Sequence, residues 1–87
     1  MDKYQYRLTQ GEIDARNKDR RNGSFTVARA IYNEHAGEYR SSPRERYHIC
    51  DFGDALQTAY GMVAKIGGAW GIWDGYTELE MIGELPE

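Results

Sequence analysis

The spacing of apolar positions predicts one amphipathic helix over residues 52–66. Its apolar side chains recur at intervals of four and three residues, which places them on one face of a helix. These are Phe52, Leu56, Ala59, Val63 and Ile66. Asp51 is a natural N-cap, and Asp54 three positions later favours the positive end of the helix. Gly67-Gly68 provides a left-handed stop at the other end.

After the helix, residues 69–82 have the pattern of a β-hairpin. Asp74-Gly75 is the preferred pair for a two-residue type I′ loop. Such a loop would set Trp73 opposite Tyr76, and every further pair would follow from that register. The face that carries the larger apolar set would be the core side: Trp70, Ile72, Thr77, Leu79 and Met81. The opposite face would be aromatic and acidic: Trp73, Tyr76, Glu78 and Glu80.

The first third of the chain has weaker patterns. Residues 4–8 alternate between apolar and polar, which predicts a half-buried strand. Thr9 and Glu12 have the spacing of a capping box, which predicts a short helix over Gln10–Lys18. Residues 24–32 are rich in β-branched and aromatic side chains and favour a strand. A helix with Phe25, Ala28, Ile31 and Tyr32 on one face is the alternative for that segment.

The middle of the chain reads as a turn and two short strands. Residues 33–37 form the turn, since Gly37 suits a left-handed backbone position. Residues 38–41 return as a short partner strand, Pro43 interrupts as a loop, and residues 46–50 form a separate strand. Together these elements predict a single α+β domain. It has a small antiparallel sheet, the main helix (52–66) packed on one face, and a C-terminal β-hairpin (69–82).

Length and cysteine content narrow the class of protein. A chain of 87 residues forms one small domain. Cys50 is the single cysteine, so an internal disulfide is excluded, and we expect it to be a small buried side chain before the helix. No apolar run approaches the roughly 20 residues of a membrane span, and the first residues lack the apolar core of a signal peptide. A cytoplasmic location is therefore expected.

The aromatic and acidic hairpin face is the candidate binding surface. Trp73 and Tyr76 would be anchors at a rigid tip, and Asp74, Glu78 and Glu80 would suit a basic protein partner. The charge distribution agrees with this, because residues 1–50 carry +3 and residues 51–87 carry −6, for a net −3. The alternative is that N-terminal residues, around residues 10–18, cover these rings.

Two other kinds of site are weighed against this surface. A basic stretch could contact nucleic acid or an acidic partner. Its cations are Arg16, Lys18, Arg20 and Arg21. Acidic residues interrupt it, however, and the pI of 5.3 makes nucleic acid an unlikely partner. His48 and Cys50 with a distant His35 are too few for a zinc site and lack the orienting group of a nucleophile. We therefore expect no cofactor, no metal and no catalytic residue.

The segment DALQTAYGMVAKIGGAWGIWDGYTELE (residues 54–80) resembles a module found in small phage- and mobile-element-encoded proteins. In that module a helix, a glycine stop and a tryptophan-rich hairpin follow one another, and the group includes anti-CRISPR proteins. The resemblance implies a stoichiometric inhibitor that occludes a functional surface of a host protein complex in the host cytoplasm. The stretch from Arg16 to Arg21 lies outside the resemblance and departs from a simple acidic mimic of nucleic acid. Exposed edge strands also allow a homodimer.

Overall fold

The computed structural model describes residues 8–83 and contains two helices and one four-stranded sheet. The elements are α1 (Gln10–Lys18), β1 (Phe25–Asn33), β2 (Glu38–Ile49), α2 (Phe52–Ile66), β3 (Ala69–Asp74) and β4 (Thr77–Gly83). The sheet order is β2-β1-β3-β4, and neighbouring strands are antiparallel. The predicted α+β class is confirmed. Most of the strand predicted over residues 4–8 lies outside the described residues. Neither described helix is long and apolar enough to cross a membrane.

The helix α2 has the bounds and caps that the sequence predicts. The Asp51 carboxylate accepts a hydrogen bond of 3.0 Å from the Asp54 amide, which satisfies one of the free donors of the first turn. At the other end, Gly67 has a φ of 75°, a value that costs a residue without a Cβ very little. These signals are local, so a short stretch of sequence is enough to fix both ends.

The core lies between α2 and one face of the sheet. Six large side chains there are less than 2% exposed: Trp70, Phe25, Phe52, Leu56, Ile72 and Val27. Phe25 and Phe52 meet edge to face, with ring centroids 5.2 Å apart. Each fully buried side chain of this size stabilises the fold by about 1.5–3 kcal/mol relative to exposure. The core is therefore built by β1, α2 and β3 together.

The short helix α1 is also confirmed, and its capping box is complete. Thr9 accepts a hydrogen bond from the Glu12 amide at 3.2 Å, and the Thr9 amide donates to the Glu12 carboxylate at 3.4 Å. Ile13 is the buried residue of this helix and joins the core cluster. The Asn17 side chain then links α1 to the start of α2 by accepting from the Phe52 amide at 2.8 Å. One apolar contact and a few polar ones thus hold α1 in place.

The segment for which both a strand and a helix were possible, residues 24–32, forms the strand β1. The turn that follows it forms as predicted. The Asn33 side-chain oxygen accepts hydrogen bonds from the amides of His35 and Ala36, at 3.0 and 3.1 Å. Gly37 has a φ of 67°. Arg29, which interrupts the apolar alternation of β1, lies over the Trp70 ring at 5.2 Å and pairs with Glu45 at 2.8 Å. Arg29 therefore occupies an apolar position of the alternation because it makes these two contacts at the edge of the core.

The prediction of two strands separated by a loop at Pro43 is wrong, because β2 is one strand with an irregularity. The register with β1 shifts between Ala28 and Ala30, so the extra residues lie in β2 around Pro43. The Ser42 hydroxyl accepts from the amides of Arg44 and Glu45, both at 3.2 Å. These bonds satisfy backbone groups that the ladder leaves free, so the strand continues through the bulge.

The predicted register of the β3–β4 hairpin is wrong at its turn. Asp74 pairs with Thr77, so the two loop residues are Gly75 and Tyr76. A type I′ loop at Asp74-Gly75 needs positive φ at both positions, but among the described residues only glycines have positive φ, and Gly75 is at 65°. A positive φ at the first loop residue alone is typical of a type II′ turn, which favours glycine there.

A bulge in β4 then exchanges the faces of the following residues. Trp73 pairs with Glu78 and Ile72 pairs with Glu80, so Leu79 is the extra residue. Beyond it Met81 lies opposite Gly71, and Ile82 lies opposite Trp70 in the core. The prediction that Met81 belongs to the core side is therefore wrong, because a shift of one residue moves side chains to the other face.

Candidate partner-binding groove

A groove with a volume of about 580 Å³ lies between the β1–β2 hairpin and the tip of the β3–β4 hairpin. It is lined by Glu38, Tyr39, Arg40, Ser41, Arg46, Trp73, Gly75, Tyr76 and Glu78. Most of these residues are on the sheet face opposite α2, since Trp73 pairs with Thr26 while Val27 and Ile72 face the core. Three of the predicted binding residues, Trp73, Tyr76 and Glu78, are thus brought to one groove.

Trp73 is at the bottom of this groove, and its side chain is buried. It is only 3% exposed, although it lies on the face that α2 does not cover. The ring extends back over Gly71, where an added Cβ would lie 2.5 Å from the Trp73 Cη2 atom and 3.1 Å from the Met81 Cε atom. Trp73 is therefore a packed part of the groove floor and does not project from it as the sequence analysis expected.

Tyr76 is the exposed aromatic residue of the site. It follows Gly75 in the turn, and its side chain is fully exposed, at 104% of the reference value. Position in the turn explains this, because a turn residue has no neighbouring strand to cover its side chain. Of the two rings predicted as anchors, Tyr76 alone is open to a partner.

The Asp74 carboxylate fixes the hairpin tip to the segment that follows α1. It accepts hydrogen bonds from the Arg21 amide at 2.9 Å, the Asn22 amide at 3.0 Å and the Asn22 side chain at 2.7 Å. Desolvation raises the pKa of Asp74, but these hydrogen bonds favour the charged form and together lower the pKa below its ordinary value. Asp74 was predicted as a partner contact, and the structure places its charge in contacts within the chain.

The two acidic residues of β4 are separated by the bulge. Glu78 lies opposite Trp73 and lines the groove. Glu80 lies opposite Ile72, whose side chain belongs to the core face, and it does not line the groove. The predicted aromatic and acidic strip is therefore broken at Leu79, and Glu80 lies outside the groove.

The basic stretch does not form one continuous surface. Arg16 donates to the Leu79 carbonyl at 3.5 Å and lies over the Phe52 ring at 6.0 Å. Arg20 donates to the Cys50 carbonyl and lies over the Phe25 ring at 5.8 Å. These two guanidinium groups contact the body of the domain. Lys18 and Arg21 are exposed, and the charge of Arg21 helps to lower the pKa of Asp74.

The structure separates His35 from the pair His48 and Cys50. His48 is exposed, and its Nδ1 atom lies 3.3 Å from the Thr26 hydroxyl. His35 is at the opposite end of the β1–β2 hairpin. Between residues 8 and 83 no group of three or more His, Cys, Asp or Glu side chains could hold a metal ion. Cys50 is exposed, so the prediction of a buried side chain is wrong.

Sequence reasoning missed the contribution of β2 to the groove. Arg46 lies opposite Ala28, and Ser41 lies opposite Ala30, so β2 supplies the wall that faces the hairpin tip. The small side chains Ala28 and Ala30 of β1, which lie opposite Arg46 and Ser41, are the signal that could have drawn attention to this region. Recognising that signal requires the strand order, which the sequence does not provide.

Comparison of the chain with protein-family models, with curated proteins and with solved structures finds no match.

Proposed function

We propose that this protein is a non-enzymatic binding module that engages a protein partner through the groove and the exposed Tyr76. The observation that carries the proposal is a fully exposed tyrosine at the end of a fixed hairpin, next to a groove of about 580 Å³. Tyrosine is enriched at the positions that dominate binding energy in protein interfaces, because it offers a large apolar face and a polar end.

The anchoring of the hairpin tip supports the same proposal. Asp74 ties the tip to Arg21 and Asn22, and the buried Trp73 ring holds the strand just before the turn. A surface that is already ordered loses little conformational entropy when a partner binds. The backbone of Tyr76 is therefore held in position before a partner binds, which lowers the entropy cost of binding.

The inhibitor role that the resemblance implies is the more specific form of the proposal. In that form the bound partner belongs to a host protein complex, and the groove and Tyr76 occlude a surface that the complex needs. The size of the domain is compatible with such occlusion, because a typical stable interface buries about 800 Å² on each partner. The total accessible surface here is 6153 Å², so one such interface would use roughly an eighth of it.

A capture experiment with matched variants tests the proposal. Tagged wild-type protein, Tyr76→Ala and Tyr47→Ala are each used to capture partners from bacterial lysates, with quantification by mass spectrometry. Tyr47 is the control because it is an exposed tyrosine outside the groove. We expect Tyr76→Ala to lower capture at least tenfold and Tyr47→Ala to retain it. Equal capture by all three proteins would overturn the assignment of the site.

The inhibitor form has its own readout. A partner captured in this way is titrated with the wild-type protein while its activity is measured, and loss of activity at one equivalent is expected. If the partner binds and keeps full activity, the protein is a binding module and the inhibitor role is wrong.

Nucleic-acid binding through Arg16, Lys18, Arg20 and Arg21 has weaker support. Two of its four cations contact the domain itself, which leaves fewer charges to neutralise phosphates. A protein partner is therefore favoured over nucleic acid.

A further inference from the structure

The groove has walls of opposite charge, and this points to the chemistry of its partner. On the β2 wall, Arg46 donates from Nε to the Ser42 carbonyl at 2.9 Å and from Nη2 to the Ser41 hydroxyl at 2.7 Å. Both acceptors are neutral, and within residues 8–83 no carboxylate forms an ion pair with Arg46. The guanidinium group is thus held in position while its charge is not compensated by a neighbouring acid.

On the opposite wall, Glu78 carries the complementary feature. It is exposed, and in the described part of the chain no cation or hydrogen-bond donor is paired with its carboxylate. The remaining charged pair of the lining, Glu38 and Arg40, is self-compensating at 3.3 Å. One free positive charge and one free negative charge therefore face the groove from its two sides, with the Trp73 ring between them.

The strand order sets the separation of these two charges. Arg46 is on β2 and Glu78 is on β4, the two outer strands, so three inter-strand spacings of about 4.8 Å separate their backbones. Arg46 is in the row of Ala28 and Gly71, two residues along the strands from the Trp73–Glu78 pair, so the distance between the two backbones is roughly 16 Å. An extended chain rises about 3.3 Å per residue, so residues four positions apart span about 13 Å and point to the same side.

We infer that the groove binds an extended segment of a protein partner that carries an acidic and a basic side chain about four residues apart. The acidic side chain pairs with Arg46, the basic one pairs with Glu78, and the residue between them passes over the groove floor at Trp73. The volume agrees with a segment, since pockets of about 300–1,000 Å³ enclose ligands of a few side chains rather than a folded surface. This inference rests on the proposed function and gives its partner a chemical identity.

Selection from a displayed library of random twelve-residue peptides tests this inference on the immobilised full chain. Wild-type protein should enrich peptides with an acid and a base about four residues apart. Glu78→Lys should replace the base of that motif by an acid, and Arg46→Glu should replace the acid by a base. Glu80→Lys and Arg44→Glu are the matched controls, because these residues carry the same charges on the same strands outside the groove. They should leave the motif unchanged.

A synthetic peptide from the wild-type selection gives the quantitative measure. Its Kd should rise at least tenfold for Glu78→Lys and remain within twofold for Glu80→Lys. Within residues 8–83 the Glu78 carboxylate has no ion-pair or hydrogen-bond partner, so its variant is expected to keep the wild-type circular dichroism spectrum, which guards against an effect of misfolding. Arg46→Gln replaces Arg46→Glu if the latter disturbs the bulge.

The outcomes separate this inference from the proposed function. If no motif is enriched, or if the controls change the motif as much as Glu78→Lys does, the inference is wrong. Capture of a folded partner that depends on Tyr76 would in that case still support the binding module. Enrichment of a charged motif that inverts with Glu78→Lys supports both.

Discussion

The two tryptophans of β3 are three residues apart, and both are buried, but on opposite faces of the sheet. Trp70 lies under α2, donates from Nε1 to the Gly67 carbonyl at 3.2 Å and has Arg29 over its ring. Trp73 lies over Gly71 on the face that α2 leaves uncovered. The first ring is part of a core shared by three elements, and the second forms the floor of a groove. One strand therefore contributes to the core on one face and to the groove on the other.

The largest expected effect on stability comes from Trp70, the tryptophan under α2. Trp70→Ala removes a ring that is 0% exposed, so it loses the transfer free energy of the ring and leaves a cavity. We expect a loss of about 3–5 kcal/mol in the free energy of unfolding, which is comparable to the total stability of a small domain. Urea denaturation followed by circular dichroism measures it. A loss below 1 kcal/mol would contradict the placement of Trp70 at the centre of the core.

The next effect tests the packing of the groove floor. A Cβ on Gly71 would lie 2.5 Å from Trp73 Cη2, so Gly71→Ala must displace the ring. We expect a loss of about 1–3 kcal/mol and a red shift of tryptophan emission, because the displaced ring meets water. The control is Gly61→Ala in α2, where an added Cβ meets no atom within 4 Å. It should stabilise the helix by roughly 0.5–1 kcal/mol, and a stable Gly71→Ala protein with unshifted emission would refute the packing.

A smaller effect is expected at the junction between the hairpin tip and residues 21–22. Asp74→Ala removes the acceptor of three hydrogen bonds and should cost about 1 kcal/mol at pH 7. The pKa of Asp74 is lowered in the folded state. The contribution of its carboxylate to the free energy of unfolding is therefore present in full when the pH is above 3.8, the ordinary pKa of an aspartate. It is lost as the pH falls through the lowered folded pKa. The difference between wild type and variant should therefore shrink in acid, and a difference that grows below pH 3.8 would argue against this sign.

The smallest effect on stability belongs to the residue with the largest expected effect on binding. Tyr76→Ala removes a fully exposed side chain and should change the free energy of unfolding by less than about 0.5 kcal/mol. A shift of the urea midpoint as large as that of Asp74→Ala would show that Tyr76 supports the fold, and loss of capture could then no longer be assigned to binding.

The helix and the location of the hairpin could be predicted because their signals are local. Asp51 and Asp54 are hydrogen-bonded to each other within one turn, and the apolar period of α2 is complete within its own residues. The groove could not be predicted in the same way. Arg46 and Glu78 come from opposite edges of the sheet, and their relation depends on the order β2-β1-β3-β4.

The hairpin register shows where local reasoning stops. Asp74-Gly75 favours a type I′ turn when it is considered alone, but the Asp74 carboxylate is used by Arg21 and Asn22, more than fifty residues earlier in the chain. Met81 and Ile82 are both apolar, so alternation cannot say which of them enters the core. The bulge at Leu79 selects Ile82, because it brings that side chain opposite Trp70 beneath α2.

The sequence by itself thus determined the two helices, the β1–β2 turn and the location of the C-terminal hairpin, since caps, turn residues and helical periodicity act over a few residues. Tertiary structure decided which face of the sheet each side chain occupies and which side chains are buried. It buried Trp73, exposed Cys50, directed Glu78 and Glu80 to different sides and engaged two of the four cations of the basic stretch. The physical reason is that burial and register depend on which distant segment covers a strand. A shift of one residue in β4 is enough to exchange its faces.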